Sequence, residues 1–360
     1  MSKSPIESFT AVVPAGGIGS RLWPLSRPER PKFLLDLLGT GTTLLQGTLD
    51  RLAPLTDDIL VVTGVAHEAA VLAQAPQLSE ANVLAEPSAR DSMAAIALAA
   101  AVVEQRHGAR VIGSFAADHL IREPAAFRES VRTAVGVANQ GYVVTIGITP
   151  TFASTAFGYI ELGMDLSPGA QRVVAFTEKP DPTTASVMLT RGGFLWNAGM
   201  YVVRTDVLLG HLATLQPAIE AGVRRIAAVW DTPQREDALA EVWPTLTRIS
   251  IDHAIAEPIA AQAGVAVVPA TFDWHDIGDF ATLAELATPD ADGVVRIGSE
   301  GDVRAIGADG VVAIGTSRTL AVVGISDVIV VETAEALLIV SKAAAQDVKD
   351  AATTPSGSGL

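Results

Sequence analysis

Residues 12–35, VVPAGGIGSRLWPLSRPERPKFLL, decide the fold because they join an apolar strand to a glycine-rich turn and a charged loop. The first residues are apolar and partly β-branched, as in a strand that is covered on both faces of a sheet. Glycine lets the following turn bend tightly and bring its N–H groups close to an anion. Three prolines then forbid a helix through the loop (Pro24, Pro28 and Pro31). The pattern predicts the first strand of an α/β sheet and a stiff loop after it.

Positive charge is concentrated in this loop. Residues 20–32 contain four basic residues and one acidic residue, whereas the whole chain has a formal net charge of −15. Such an acidic chain is not expected to bind nucleic acid or an anionic membrane. A basic cluster on an acidic protein indicates a compact anionic ligand, of which a phosphate is the commonest. On charge alone, an ordinary solvated surface loop stays open as the alternative.

Length and composition indicate a globular protein. The chain has 360 residues, of which 49% are hydrophobic and 18% charged, and it contains no cysteine. It can therefore bury a large core, and it has neither disulfides nor thiolate metal sites. The amino terminus lacks the apolar core of a secretory signal, and the apolar stretches are too short to span a bilayer. These features predict a cytoplasmic protein.

Short β-branched runs alternate with helical segments through the first two thirds of the chain, which predicts an α/β fold with a mostly parallel sheet. The expected strands are residues 10–14, 59–63, 82–85, 111–116 and 143–148. The expected helices are residues 44–52, 66–75, 92–105 and 125–139.

After about residue 288 the pattern changes. Short Val and Ile runs now alternate with Gly and Asp, and helical periodicity is almost absent. This texture predicts a small all-β module over residues 289–345, similar to stacked β-coils, that supports the fold or a homodimer. The remaining residues, 346–360, end in TTPSGSGL and are predicted to be a disordered tail.

A collinear series of motifs resembles the sugar-nucleotide pyrophosphorylases, which are nucleotidyltransferases. GGIGSRLWPLSRPERPK (16–32) is similar to the family signature GGxGxRLxPL…PK, and its RLWPLSR most resembles mannose-1-phosphate guanylyltransferases. Further motifs follow in the family's order: EPSARDSMAAIALAA (86–100), FAADHLI (115–121), FGYIE (157–161), FTEKP (176–180), WNAGMYVVR (196–204), SIDHAIAE (250–257) and DWHDIGDF (273–280). The resemblance covers residues 9–345 and implies a Rossmann-like nucleotidyltransferase domain over residues 1–288.

The activity that this resemblance implies is the Mg²⁺-dependent joining of GTP and mannose 1-phosphate to give GDP-mannose and pyrophosphate. The mannose 1-phosphate oxygen would attack the α-phosphorus of GTP without a covalent enzyme intermediate. Two alternatives stay open. One is the same chemistry with UTP, ATP or dTTP and glucose 1-phosphate, and the other is a non-catalytic nucleotide-sugar sensor.

The expected nucleotide site follows the first, third and fourth expected strands. Arg21, Lys32 and Asp118 are the expected catalytic residues. The reaction brings two anions together, so Arg21 and Lys32 would neutralise their charge, and Asp118 would hold the metal that does the same. Glu86 is expected to accept hydrogen bonds from the guanine base, although a turn residue is the plain alternative. The full expected nucleotide-binding set is Ala15, Gly16, Gly17, Gly19, Ser20, Arg21, Lys32, Glu86, Pro87, Arg90 and Asp118.

The resemblance implies that Asp118 and Asp276 are the Mg²⁺ ligands, and two carboxylates with substrate phosphates are a usual way to hold this ion. Two such carboxylates repel by roughly 4 kcal/mol at about 4 Å and an effective dielectric near 20, so only a cation makes their approach favourable. We therefore expect asparagine at either position to leave the metal-free fold at least as stable. Turn capping is the alternative role for both.

The expected sugar site is formed by polar residues that interrupt apolar strands. Glu178 and Asn197 can bind hydroxyl groups, Gly158 lets the backbone approach the sugar ring, and Lys179 can meet the sugar phosphate. For the adjacent Glu178 and Lys179, the alternative is an ordinary surface ion pair of little energetic value.

Overall fold

The computed structural model describes residues 4–353 of the chain. These residues form two compact units, and neither is continuous in sequence. Unit 1 contains residues 4–16, Thr48–Ala117 and Ile121–Trp274, and unit 2 contains Gly17–Gly47, Asp118–Leu120 and residues 275–353. The predicted domains were consecutive segments of the chain, whereas these units are not. The boundary at residue 288 therefore stays a prediction.

The strands in chain order are β1 (Phe9–Ala15), β2 (Ile59–Gly64), β3 (Val83–Glu86), β4 (Val111–Ser114), β5 (His119–Ile121), β6 (Val143–Ile148), β7 (Tyr159–Ser167), β8 (Ala170–Thr177), β9 (Phe194–Arg204), β10 (Val265–Pro269), β11 (Trp274–Asp276), β12 (Val295–Ile297), β13 (Val303–Ile306), β14 (Val312–Ile314), β15 (Leu320–Val323), β16 (Val328–Glu332) and β17 (Leu337–Ser341). The helices are α1 (Leu44–Leu52), α2 (Glu68–Gln74), α3 (Asp91–His107), α4 (Pro124–Ala138), α5 (Pro182–Arg191), α6 (Thr205–Leu215), α7 (Pro217–Ala227), α8 (Arg235–Val242), α9 (Glu257–Ala260), α10 (Phe280–Glu285) and α11 (Val348–Thr353).

Unit 1 is built on a nine-stranded sheet with the order β3-β2-β1-β4-β9-β6-β10-β8-β7. β1 is parallel to β2 and β4, and β6 is parallel to β10. β9 is antiparallel to β4, β6 and β7, and β8 is antiparallel to β7 and β10. The other strands of this sheet therefore share one direction, and the predicted mostly parallel α/β sheet is confirmed.

The core of unit 1 explains why these residues form these elements. β1, β2 and β4 are almost entirely buried, as expected of strands that are covered on both faces. α3 is buried along residues 93–103, where alanine is frequent, so the helix can lie close to its neighbours. Within residues 4–353, no helix has both the length and the apolar character needed to cross a bilayer.

Unit 2 contains the β-strands of the C-terminal module. β12, β14 and β16 form a parallel ladder, β17 adds antiparallel to β16, and β13 pairs in parallel with β15. Residues of β16 alternate between two apolar clusters: Ile329 and Val331 face one, and Val328 and Val330 face the other. The predicted all-β, β-helix-like module is thereby confirmed.

The predicted disordered tail needs a correction. Residues 342–347 form a 3-10 helix and Val348–Thr353 form α11, with Ala345 and Val348 buried. Their apolar side chains enter a core, which outweighs the polar composition of the segment. The rest of the predicted tail, residues 354–360, lies outside the described residues.

Candidate active site

In the loop after β1, Gly19 lets the backbone pass close to Lys32. Gly19 has a φ of 75°, and a Cβ atom on it would lie 2.7 Å from the Lys32 Cβ. The N–H of Lys32 donates to the carbonyl of Ile18 over 3.0 Å. Any side chain at position 19 would therefore strain the backbone and displace Lys32.

Lys32 lies between the two expected metal ligands. Its Nζ is 2.9 Å from Asp118 Oδ2 and 3.0 Å from Asp276 Oδ1. The Lys32 side chain is only 5% exposed, whereas those of Asp118 and Asp276 are 28% and 41% exposed. All three residues belong to unit 2. The structure thus brings together three side chains that are distant in sequence.

The charges of this triad stabilise one another. Burial favours an uncharged Lys32, but the two carboxylates raise the pKa of its ammonium above the ordinary value. Burial likewise favours a neutral Asp118, but the positive charges of Lys32 and His119 lower the pKa of this carboxyl below its ordinary value. Lys32 is therefore cationic and Asp118 anionic at neutral pH.

The donor set of the triad is suited to a hard cation. Each aspartate gives one oxygen to Lys32, and two carboxylates with phosphates and water are a usual Mg²⁺ environment. Among residues 4–353, no group of three or more His, Asp or Glu side chains is arranged to hold a metal. The paired aspartates alone would leave several coordination positions to substrate.

The basic residues of the loop have different environments. Arg21 is exposed within the 3-10 helix Ser20–Leu22. Arg27 instead pairs with Glu335 over 3.0 Å, and Arg27 and Arg30 exchange backbone hydrogen bonds. Arg27 is thus engaged by an acidic partner, whereas Arg21 is the exposed arginine nearest the glycines in sequence. Gly16, Gly17 and Ser20 are exposed between the end of β1 at Ala15 and Arg21.

Glu86 is a buried carboxylic acid at the end of β3. It is 6% exposed, and its Oε2 has no hydrogen-bond partner among the described residues. Burial raises the pKa of Glu86 from 4.5 to about 7. A Cβ on Gly16 would lie 3.8 Å from Glu86 Oε1, so the expected base-binding carboxylate lies beside a glycine of the expected nucleotide loop.

Two further expected nucleotide-binding residues, Pro87 and Arg90, lie in the loop after β3 and have different environments. Pro87 is exposed, whereas Arg90 is half-buried and donates from Nη1 to the carbonyl of Leu246 over 3.3 Å. Trp243 Nε1 donates to the carbonyl of Ser88 over 2.8 Å. Arg90 thus already helps to fix the loop after β3 to residues 243–246.

Asn197 is the centre of a hydrogen-bond network in unit 1. Its Oδ1 accepts from Thr145 Oγ1 over 2.7 Å, and its Nδ2 donates to Asp252 Oδ1 over 2.7 Å. The hydroxyl of Tyr201 donates to the same Asp252 oxygen over 2.6 Å. The Asn197 N–H donates to the carbonyl of Gly158 over 2.8 Å. The amide is therefore held in one orientation by partners on several elements.

Glu178 and Lys179 follow β8 beside Gly158. Lys179 Nζ is 2.7 Å from Glu178 Oε1, and a Cβ on Gly158 would lie 2.5 Å from Glu178 Oε2. Burial raises the pKa of Glu178 even though it contacts Lys179, whose side chain is 62% exposed. Lys179 has a φ of 46°, a strained value for a non-glycine residue. A side chain at position 158 would displace the Glu178 carboxylate from this place.

Asp252 and Tyr201 were not among the expected site residues. Asp252 opens the π-helix Asp252–Ala256, where a lone acidic residue looks like an ordinary first-turn aspartate. Tyr201 is fully buried and, in sequence, looks like core. The SIDHAIAE motif was the sequence signal that could have pointed to Asp252. The structure adds a second signal, because helices of the rare π type are frequent at functional sites.

The elements define an α/β protein in which several candidate polar residues lie at or directly after strand ends: Glu86 ends β3, Glu178 follows β8 and Asp276 ends β11. Residues 10–293 match the family described as "Nucleotidyl transferase", and residues 301–352 match the "MannoseP isomerase/GMP-like beta-helix domain". The chain belongs to the nucleotidyl transferase family. The resemblance of its motifs to nucleotidyltransferases is confirmed.

Individual relatives agree with this assignment. The chain is 35% identical over 291 residues to the xanthan biosynthesis protein XanB of Xanthomonas campestris pv. campestris, covering 78% of this chain and 60% of that protein. It is 34% identical over 296 residues to a mannose-1-phosphate guanylyltransferase of Escherichia coli, covering 80% and 62%. The chain thus spans about three fifths of the length of these curated relatives.

A solved structure matches over nearly the whole chain. It is the crystal structure described as mannose-1-phosphate geranyltransferase from Thermus thermophilus, with a TM-score of 0.84 and 31% identity. The match covers 96% of this chain and 98% of the other. The similarity therefore includes the C-terminal module.

Proposed function

We propose that this protein is a mannose-1-phosphate guanylyltransferase that joins GTP and α-D-mannose 1-phosphate to give GDP-mannose and pyrophosphate. The observation that carries the proposal is the triad in which Lys32 joins Asp118 and Asp276. The names of relatives at about 35% identity support the choice of GTP and mannose 1-phosphate.

The triphosphate is assigned to the loop after β1. Arg21 is exposed and can neutralise phosphate charge, while Gly17, Gly19 and Ser20 offer backbone N–H groups. Lys32 is too buried to enclose a substrate. We therefore assign it to hold the two aspartates in place and to supply positive charge beside them. This role differs from the direct neutralisation of substrate charge expected from the sequence.

Asp118 and Asp276 would hold Mg²⁺. When bound, this ion would neutralise phosphate charge during in-line displacement. Asp118 remains ionised because its pKa is lowered, so it accepts a cation at neutral pH without first losing a proton. The Lys32 ammonium fixes one oxygen of each carboxylate, which orients the other oxygen of each.

The sugar phosphate and the base are assigned to residues on β9, at the end of β3, directly after β8 and at the start of the π-helix Asp252–Ala256. The fixed Asn197 amide and the carboxylates of Glu178 and Asp252 would bind hydroxyl groups of the hexose, and Lys179 would meet its phosphate. Glu86 would accept from guanine, which offers two donors on its pairing edge. The unpartnered Glu86 Oε2 supports this assignment, because a buried polar atom is costly without a partner.

Pyrophosphate release, measured for four NTPs against several sugar 1-phosphates, tests the proposal. We expect the highest kcat/KM for GTP with mannose 1-phosphate, and Arg21→Ala should lower kcat at least about 100-fold if Arg21 acts on the transition state. Preference for another pair would identify a different nucleotidyltransferase. Absence of release with every pair would favour a nucleotide-sugar sensor. Homodimer formation stays a prediction.

A further inference from the structure

The C-terminal segment, residues 342–353, packs on two parts of unit 2 that carry proposed site residues. α11 lies against the 3-10 helix Ser20–Leu22, which contains Arg21. The preceding 3-10 helix, residues 342–347, lies against α10, which begins four residues after Asp276. One segment therefore contacts the supports of both Arg21 and Asp276.

Apolar packing provides the first connection. Val348 is 3% exposed and belongs to the same buried cluster as Leu22 and Ile277, which are fully buried. Leu22 directly follows Arg21, and Ile277 directly follows Asp276. The side chains that anchor these two site residues to the core thus share a cluster with Val348.

A polar contact provides the second connection. Gln346 donates from Nε2 to Asp279 Oδ2, and Asp279 is 5% exposed. The other oxygen of Asp279 accepts from the N–H of Thr282 over 2.8 Å and so caps α10. Gln346 therefore restrains the turn that joins Asp276 to α10.

We infer that the C-terminal segment positions the phosphate site, with Val348 and Gln346 as positioning residues for Arg21 and Asp276. This inference rests on the proposed function. A small displacement of a charged group is sufficient to lower turnover, since misplacement by about 1 Å can cost about 100-fold. When a buried side chain is shortened, its neighbours shift part of the way into the space left behind. The anchors of Arg21 and Asp276 would therefore move.

A matched pair of variants tests the inference. Val348→Ala and Val330→Ala each shorten a buried valine of unit 2, but Val330 belongs to a different apolar cluster. We expect a similar fall in melting temperature for both. Only Val348→Ala should lower kcat, by about 10-fold or more, with the KM for mannose 1-phosphate within about twofold of the parent.

Hydrogen exchange gives a measurement that does not depend on activity. The backbone amides of residues 20–22 should exchange faster in Val348→Ala than in Val330→Ala, because α11 packs against that helix. Should Val348→Ala fail to fold, Gln346→Met keeps the side-chain length without the hydrogen bond. It should lower kcat by several-fold, whereas Ala343→Ser, at an exposed position of the same segment, should not.

Two outcomes are distinguishable. If the parent releases pyrophosphate and both Val348→Ala and Gln346→Met retain its kcat, the segment serves stability alone and the inference is overturned. If the parent releases none, the proposed function fails, while equal hydrogen exchange in the two valine variants would still overturn the positioning role.

Discussion

Lys32 is the cation that makes the approach of Asp118 and Asp276 favourable. The sequence predicted repulsion between the aspartates in the absence of a metal, but the buried ammonium lies within 3.0 Å of both carboxylates. Removal of one aspartate would therefore leave Lys32 with a single partner rather than relieve a repulsion. The earlier expectation for the asparagine variants must be reversed.

Asp118→Asn should destabilise the metal-free protein. The pKa of Asp118 is lowered in the fold, so its stabilisation is present at neutral pH and is lost as pH falls below the ordinary value of 3.8. We expect a loss of roughly 2 kcal/mol at pH 7, less than for a fully buried pair because the side chain is partly exposed. Urea unfolding in EDTA measures it, with the exposed Asp50→Asn as control.

The same experiment addresses the metal. Asp276→Asn, at the more exposed position, should cost less stability than Asp118→Asn. Both variants should raise the Mg²⁺ concentration for half-maximal rate and lower turnover. Unchanged Mg²⁺ dependence with full activity would show that these residues only cap turns.

Glu86 makes stability depend on pH. Its pKa rises from 4.5 to about 7 on folding, so the folded protein binds more protons within this window. Stability should therefore fall as pH rises from 4.5 to 7, by up to about 3 kcal/mol from this group. Glu86→Gln should remove that slope, as measured by urea unfolding across the window. The exposed Glu80→Gln should retain it, and an equal slope in Glu86→Gln would contradict the assignment.

At the scale of elements, the junctions between strands and loops carry most of the site. The loop after β1 contains a glycine at a positive φ, Gly19, and the Cβ of Lys32 leaves no room for a side chain at that position. Such a junction fixes the direction in which Lys32 leaves the loop. The position of Lys32 therefore depends on the backbone conformation of the loop more than on charge.

Gly19→Ala should therefore disturb both stability and activity. Strain at φ 75° and the 2.7 Å approach to Lys32 should cost roughly 1–3 kcal/mol of unfolding free energy. Gly17→Ala has no atom within 4 Å of the added Cβ and should melt near the parent temperature. Calorimetry of the two variants makes the comparison. Equal melting temperatures would show that the loop adjusts freely.

Two buried tyrosines of the same sheet differ in their hydroxyl groups. Tyr201 bonds Asp252 and Asn197, whereas the Tyr159 hydroxyl has no partner among the described residues. Tyr201→Phe should cost about 1–2 kcal/mol and raise the KM for the sugar phosphate, because Asn197 and Asp252 lose a shared partner. Tyr159→Phe should be neutral or stabilising. Chemical unfolding and steady-state kinetics of both variants are the measurements, and the opposite order would contradict the network.

For the whole molecule, the sequence predicted what depends on local pattern. Strand 143–148 and helix 44–52 have the predicted bounds, and the other predicted elements differ by up to two residues at either end. The triad could not be derived from local pattern, because Lys32 and Asp276 are 244 positions apart. The Asn197 network was missed for a similar reason. Tyr201 lies in an apolar strand segment and looks like a core residue, and its partner Asp252 is 51 positions away.

The order of the two units along the chain has a consequence for synthesis on the ribosome. Gly17–Gly47 emerges early, yet it belongs with residues 275–353, which are made after the whole of residues 48–274. At about 5–20 residues per second, this early segment waits roughly 10–45 s for its partners. Leu22, Leu35 and Leu37, fully or nearly buried at the end, are exposed in the nascent chain during that time. The interval makes residues 17–47 a target for chaperones that hold apolar segments until residues 275–353 have been made.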